Sequence, residues 1–498
     1  MNIACNYHER TKHYYNRYAK SLGYLDWAHK PHPYRSYEDA PKLLLPLDGE
    51  FSLRYNELFA NKEPNVMDVR SIGSFFRYAL GLAAVKKFGS ESWELRVNAS
   101  SGNLHPSEAY CIVPGSIVSK EDATLFHYHS YLHALEELYV YEALSLPGES
   151  FVVVLSSIIY KEMWKYGERC YRYCALDFGH AYRALEVAAN LHGWHFQALD
   201  LSEQECGHLV GLDQKERFEQ AELEGADIAV LVSRHMPKKV KSDILRNVKV
   251  ETFQASANRL CSYYQKYEIV EQMDASTKAS VVSVTQMQQS QKSSEAKATD
   301  VILRRRSAQA FDMENSKMAL DELMELLNGV QMENPQIDFI LYIHNVSGLL
   351  PGVYLYKRSS MTLRLKEEFL YDEVASGLFV LALGDVRVLA KNFSCMQDIA
   401  ADSAFALSMI AGCEDALSEP VRYKERLFEA GRIGQQLYLD ATSLGYSATG
   451  IGCFYDDAIH NFLGLELPSR QVVYNFTVGK ALRDARLQTL PPYGHLKR

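Results

Sequence analysis

One order of features occurs twice in this chain, and it constrains the fold more than any other property of the sequence. In the first occurrence Asp177-Phe-Gly-His-Ala leads into a helical pattern, with Ala181, Leu185, Ala188 and Leu191 at spacings of four, three and three. Gly193-Trp194 ends it, with glycine in its usual place just past a helix C-terminus. A short strand over 195–199 follows, then a segment closing on Gly211-Leu212-Asp213, then the apolar strand 227–233. In the second occurrence Glu429-Ala-Gly-Arg-Ile opens a helix carrying Ile433, Leu437, Ala441 and Leu444, and Gly445-Tyr446 ends it. A glycine-rich strand over 449–454, the segment Gly464-Leu465-Glu466 and the strand 472–479 complete the series. Gly179 precedes Gly193 by 14 positions, as Gly431 precedes Gly445; Gly211 and Gly464 follow at 32 and 33. Helix, glycine and strand form a common unit of α/β chains. Matching order and spacing over more than 60 residues nevertheless point to an internal duplication.

A boundary between two such halves has a compositional mark. Residues 275–300 are rich in Ser, Thr, Gln and Lys and contain no aromatic residue. Such a run buries too little apolar area to offset the entropy of ordering it, so its later part reads as a linker. The chain then divides into a first half (1–274), a polar linker (275–300) and a second half (301–498).

The halves differ in their polar equipment. Only the second carries Arg304-Arg-Arg-Ser, ahead of the helix 319–328 whose Leu320, Leu323, Met324 and Leu327 form one apolar face. Guanidinium groups beside a hydroxyl suit a phosphate monoester, because arginine offers planar paired donors; a solvated basic turn fits the same residues. Only the first carries Arg96-Val-Asn-Ala-Ser-Ser-Gly-Asn-Leu-His-Pro-Ser-Glu. Ser100, Ser101 and Asn103 present several donors and acceptors, and Gly102 lets backbone approach a flat ligand or a phosphate; a polar turn before the strand 109–113 fits as well. The first half also carries Trp164-Lys-Tyr-Gly-Glu-Arg-Cys-Tyr-Arg-Tyr, where a Lys165–Tyr166 pair beside two arginines can lower the pKa of either group and carry a proton. An exposed amphipathic segment is the plainer alternative. A repeat that divides its polar residues in this way would build one composite site between its halves.

Composition excludes other classes. With 53 basic and 62 acidic residues the formal charge is −9, against a nucleic-acid partner. Nine cysteines without a CxxC pair make no disulfide scaffold, and Cys170 with Cys174 is half a zinc site. His127, His129 and His133 form an H-x-H-x3-H cluster that leaves a metal-dependent enzyme as a weak alternative; no metal ligand is assigned. Gly450-Ile-Gly lacks the third glycine and downstream acid of a dinucleotide fingerprint. No apolar run approaches a membrane span of about 20 residues, and the start of the chain has no apolar signal region, so a cytoplasmic location is expected.

Together these motifs resemble the FMN-dependent nitroreductase superfamily, and within it the branch of SagB-type dehydrogenases related to thiazoline and oxazoline oxidases. The resemblance extends over nearly the whole chain: Tyr7-His-Glu-Arg-Thr-Lys-His, the blocks at 96–110 and 164–173 with Gly179-His180, the arginine run, 431–454, and Phe476-Thr-Val-Gly-Lys. It implies an α+β fold of mostly antiparallel sheets flanked by helices, here duplicated in one chain as an intramolecular pseudo-dimer that binds FMN between its units.

By the same resemblance, Arg305, Arg306 and Ser307, with Arg304 adjacent, would grip the FMN phosphate, and Lys480 would help. Ser100, Ser101 and Asn103 would contact the flavin from the opposite unit. Gly450, Ile451 and Gly452 would pass along its ring, and Lys165 with Tyr166 would remove a proton. The second half lacks any Ser-Ser-x-Asn turn, so one functional FMN per chain is expected. His105-Pro106 stands where many nitroreductases have Gln-Pro, so substrate preference does not carry over, and Arg422-Tyr-Lys-Glu-Arg only loosely echoes the Lys-Tyr block. The function implied is hydride transfer between FMN and an organic substrate, either a small molecule or a modified peptide. NAD(P)H as electron donor and further association of chains are left open. The rival reading is a non-catalytic flavin or small-ligand binder.

Overall fold

The computed structural model describes all residues except 1, 50, 143, 147–148, 219–220, 237–241, 249, 252–254, 289, 361, 417, 466–468 and 497–498. Glu466, the last residue of the repeated Gly-Leu-acid segment, thus lies outside the described residues.

Two seven-stranded sheets form the frame. The first runs in the order Lys42–Leu44, Ala134–Tyr141, Ala123–His129, Ser107–Val113, Ser150–Ser157, Gly225–Ser233 and His195–Ala198. The second runs Asp372–Ala375, Leu378–Leu383, Gly352–Tyr356, Ile337–Ile343, Phe405–Gly412, Arg470–Gly479 and Ser447–Ile451. Every neighbouring pair in both sheets is antiparallel. In each, the strand that follows the long helix takes one edge, beside the last long strand. The opposite edges differ: Lys42–Leu44 arrives from before its sheet, whereas Asp372–Ala375 is inserted between its neighbours in sequence.

The two long helices, Cys170–His192 and Pro420–Ser443, pack against each other. They touch at the paired glycines of the repeat. A Cβ on Gly179 would overlap the carbonyl oxygen of Phe428, one on Gly431 would overlap that of Leu176, and each would press on the other glycine. Phe178 and Phe428 stack beside the crossing, ring centres 4.4 Å apart. Both helices begin earlier than the periodicity indicates, at Cys170 and Pro420 rather than near Asp177 and Glu429. The first turn of Cys170–His192 is buried on all sides, and Pro420–Ser443 is buried almost continuously from Tyr423, so neither shows an apolar stripe against a polar background there.

The segment 275–300 is a packed strap and not a solvated linker. Val282 is buried, the Ser283 N–H donates to Glu425, and buried Lys292 pairs with Asp440 of the second long helix at 2.8 Å. Polar residues order here because the partners they meet are buried charges, which composition alone does not reveal. Both chain ends cross to the far half. The helix Ile3–Arg10 places His8 against Tyr423 and Gln471 (3.1 and 2.8 Å). Near the other end, Gln488–Leu490 pairs with the first-half strand Leu82–Phe88, and the Tyr493 hydroxyl accepts from the Leu82 N–H. Among the described residues no helix is long and apolar enough to cross a membrane.

Candidate functional site

The first-half turn is held by a buried acid. Gly102 and Asn103 adopt left-handed backbone, φ 59° and 58°, a conformation cheapest for glycine and then asparagine. The Ser101 N–H and hydroxyl both donate to Asp177 of the first long helix, at 2.8–3.0 Å. The Ser100 hydroxyl accepts from the His105 N–H, and Asn103 bonds the Glu94 carbonyl and the His105 ring. Burial pushes the Asp177 carboxyl up to about 7, although the serine donors oppose it.

Lys165 and Tyr166 end the short helix Ile159–Tyr166, which lays them over this turn. A Cβ on Gly102 would sit 2.9 Å from the Tyr166 hydroxyl and 3.0 Å from the Lys165 Nζ, so only glycine leaves them room. Tyr166 stacks on Tyr173 with ring centres 3.9 Å apart. One expectation is corrected here: the neighbouring arginines do not lower the tyrosine. Arg169 and Arg172 turn away to Asp456 at 3.2 and 2.7 Å. Burial, followed by Glu162, raises the Tyr166 hydroxyl well above its usual value, so it stays protonated. Glu162, one turn back from Lys165, is buried with neither carboxyl oxygen hydrogen-bonded, and burial raises it as well.

The second half brings the arginines and the glycine strand. The buried Arg305 guanidinium donates from Nε to the Val97 carbonyl (2.9 Å) and from Nη2 to that of Arg96 (3.1 Å), tying the run to the segment that leads into the Ser100–Asn103 turn. Arg306 donates to the carbonyls of Leu303, Arg305 and Ala83. Neither has a carboxylate partner among the described residues. Burial lowers Arg305, and burial with Arg305 itself brings Arg306 down to about 10. Lys86 is lowered too, by burial, Arg306 and Arg483. Lys86 and Arg483 thus join a cation cluster that sequence reading missed, since neither lies in the arginine motif.

Arg304 stands apart from the other two arginines. It ends the helix Ala298–Arg304, its side chain is 76% exposed and it pairs with Asp300 one turn back, so the first arginine of the run faces solvent. Ser307 hydrogen-bonds the Tyr438 hydroxyl, which also accepts from the Gly450 N–H (2.8 Å each). Lys480 makes its contacts with the Gly445 carbonyl and the Tyr446 ring instead.

Gly450 to Gly452 pass along the first long helix, but tyrosine rings fill the space beside them. A Cβ at 450 would overlap Tyr474 and one at 452 would overlap Tyr173. Ile451 between them is buried. His180 bridges Tyr474 and Gln435 at 3.2 Å each, and Gln435 in turn accepts from the Ala99 N–H. Tyr173, Tyr474, Asp177, His180 and Glu162 were not singled out from sequence as site residues; the signal available was the resemblance block around Gly179-His180.

The remaining candidates lie apart. His127 sits between Glu136 and Glu108 (2.9 and 3.6 Å), which against the effect of burial raise it to about 9, as expected of a charged triad. His133 instead contacts Tyr128 and the Pro46 carbonyl. A cavity of about 470 Å³ lined by Phe51, Lys62, Asp68, Arg70 and His192 shares no residue with the composite cluster.

Comparison with known proteins fits this architecture. Residues 302–480 match the Nitroreductase family. The "Putative nitroreductase MJ1384" of Methanocaldococcus jannaschii is 27% identical over 191 residues, 34% of this chain and 86% of that protein. A crystal structure described as "a putative nitroreductase" from Anabaena variabilis is 19% identical with a TM-score of 0.70, covering 97% of this chain and 100% of that chain. The whole chain therefore has a nitroreductase-like α+β fold, and residues 302–480 within it are a match to the Nitroreductase family.

Proposed function

We propose that this chain is an FMN-dependent oxidoreductase of SagB-dehydrogenase type, in which two fused nitroreductase-like halves share one composite site. The observation that carries the reading is the pair of buried Arg305 and half-buried Arg306, cations without a carboxylate partner among the described residues where the halves meet. Buried charges are normally paired, and a dianionic phosphate supplies the missing charge in the geometry that guanidinium recognises. Arg305, Arg306 and Ser307 hold the phosphate, with Lys86 nearby. Ser100, Ser101, Asn103 and the Gly450–Gly452 strand would hold the ring, and Lys480 lies at the end of the last strand.

FMN supplies hydride acceptance or donation when bound. The protein handles the proton. Asp177 fixes the turn that carries Gly102, and Gly102 sets the distance to Lys165 and Tyr166. Tyr166, kept protonated by burial, offers a hydrogen bond, while the Lys165 amine, the more polar end of the pair, exchanges the proton. The substrate is either an azoline ring on a modified peptide or a small acceptor such as a quinone or nitroaromatic; rapid oxidation of added NAD(P)H selects the second. The test is an absorbance spectrum of purified protein, followed by release and identification of the flavin. About one FMN per chain is expected from one composite site. Two per chain overturns the shared site, and none after addition of FMN overturns the enzyme.

A further inference from the structure

Cys395 and Cys453 are joined as a disulfide across a sequence separation of 58 residues, with Cα atoms 5.8 Å apart. We propose that this pair is a reversible thiol–disulfide centre that latches the exit of the glycine strand.

Its place in the fold gives it leverage. Cys453 directly follows Gly452, and the Gly452 carbonyl accepts from Arg169 of the first half at 3.2–3.3 Å. On the other side the Gln397 amide donates to the Cys453 carbonyl (3.4 Å) and the Tyr455 N–H to that of Phe393 (3.0 Å). The segment after the strand is thus held by first-half side chains on one flank and by the loop 393–397 on the other. The disulfide is the covalent part of the second hold.

The loop itself is held in an unfavourable shape. Cys395 and Met396 are consecutive non-glycine residues in left-handed backbone, φ 52° and 62°. Such residues are unfavourable in ordinary chains and persist only where their surroundings impose the conformation. Opening the crosslink removes that imposition. Access is also in place, since neither cysteine of the pair is buried and Met396 is 51% exposed. Six of the seven free cysteines are buried instead, and burial raises the thiols of Cys111, Cys170, Cys174, Cys206 and Cys413.

Opening needs a small dithiol as reductant. One of its thiolates attacks a cysteine sulfur, breaking the Cys395–Cys453 bond and forming a mixed disulfide as the other cysteine leaves as thiolate. The second thiol of the reductant then displaces the mixed disulfide. The reductant departs as its own disulfide, and two electrons and two protons have passed to the protein. The shortened hold on Gly450–Gly452 then weakens flavin retention.

The existence of the pair is tested by counting thiols in full-length protein prepared without reductant, denatured in iodoacetamide. Seven alkylated cysteines before reduction and nine after are expected, with the 395 and 453 peptides linked only before. Nine in both samples, even after equilibration with oxidised glutathione, overturns the centre. The latch rests on the FMN reading, so FMN affinity is measured on oxidised and dithiothreitol-reduced protein. Weakening by about tenfold on reduction is expected, within the usual range of coupling between sites. The double variant Cys395→Ser/Cys453→Ser should match the reduced form and ignore dithiothreitol. Equal affinity in both forms overturns the latch. Absence of FMN binding in either form defeats the flavin reading and the latch with it, while the thiol count still decides the centre.

Discussion

The two halves bury opposite charges where they meet. The first contributes carboxyls, Glu162 and Asp177, which burial raises. The second contributes guanidiniums, Arg305 and Arg306, which burial lowers. These groups do not neutralise one another: Asp177 spends its bonds on Ser101, and Arg305 on two backbone carbonyls. Elsewhere the same chain pairs its buried charges closely, as in Lys424 with Glu203 and Asp227. A protein that can pair buried charges and leaves these apart keeps them for something else. One half is equipped for an anion, the other for a proton.

Variants that remove one side only would break this contrast most directly. Lys165→Ala should slow turnover of any substrate by about 10²- to 10⁴-fold at saturating FMN, with flavin content unchanged; lost flavin would give the lysine to the anion side. Gly179→Val should destabilise the protein by about 3 kcal/mol in denaturant unfolding, because the branched side chain enters the helix crossing on which both halves depend. Arg305→Ala should weaken FMN binding by about 10- to 100-fold in a fluorescence titration, the loss of one charge-assisted partner.

A subtler comparison is stability against pH. With its folded value raised to about 7, Asp177 binds its proton more tightly folded than unfolded. Its stabilising contribution is then full below about pH 4 and is lost as pH rises to about 7. Unfolding curves of Asp177→Asn should lack that decline between pH 4 and 7; a decline as steep as the parent's would assign it to another group. Arg304→Ala should change neither stability nor FMN affinity by more than about 0.5 kcal/mol, since its guanidinium is in solvent.

How much of this was readable from sequence depends on the range of the interaction. The glycine spacing indicated a repeat, and the structure supplies the reason for Gly179 and Gly431 within it: the close approach of the two long helices demands glycine at both contact points. The Ser100–Asn103 turn was readable through local turn chemistry, and apolar runs indicated strands at 227–233 and 472–479, each of which begins two residues earlier in the structure. That Arg304 faces solvent while Arg305 turns inward was not readable, because adjacent residues on a helix end point in different directions, which a motif in one dimension does not record. Lys86, Tyr173 and Tyr474 were missed because their roles come from distant elements folding onto them. The strap at 275–300 was misread for the same reason: its partners, Glu425 and Asp440, lie far along the chain.

The crossing of the chain ends has a kinetic consequence. The residues that seat His8 come from Tyr423 and Gln471, and those that seat Tyr493 come from the first half. A ribosome therefore releases a first half whose amino-terminal helix already meets Glu168 and Arg172, while its seats on Tyr423 and Gln471 wait for some four hundred further residues. Contacts of such long range form late and slowly. Neither half gains independence by being made first, and the molecule should assemble and melt as one cooperative body.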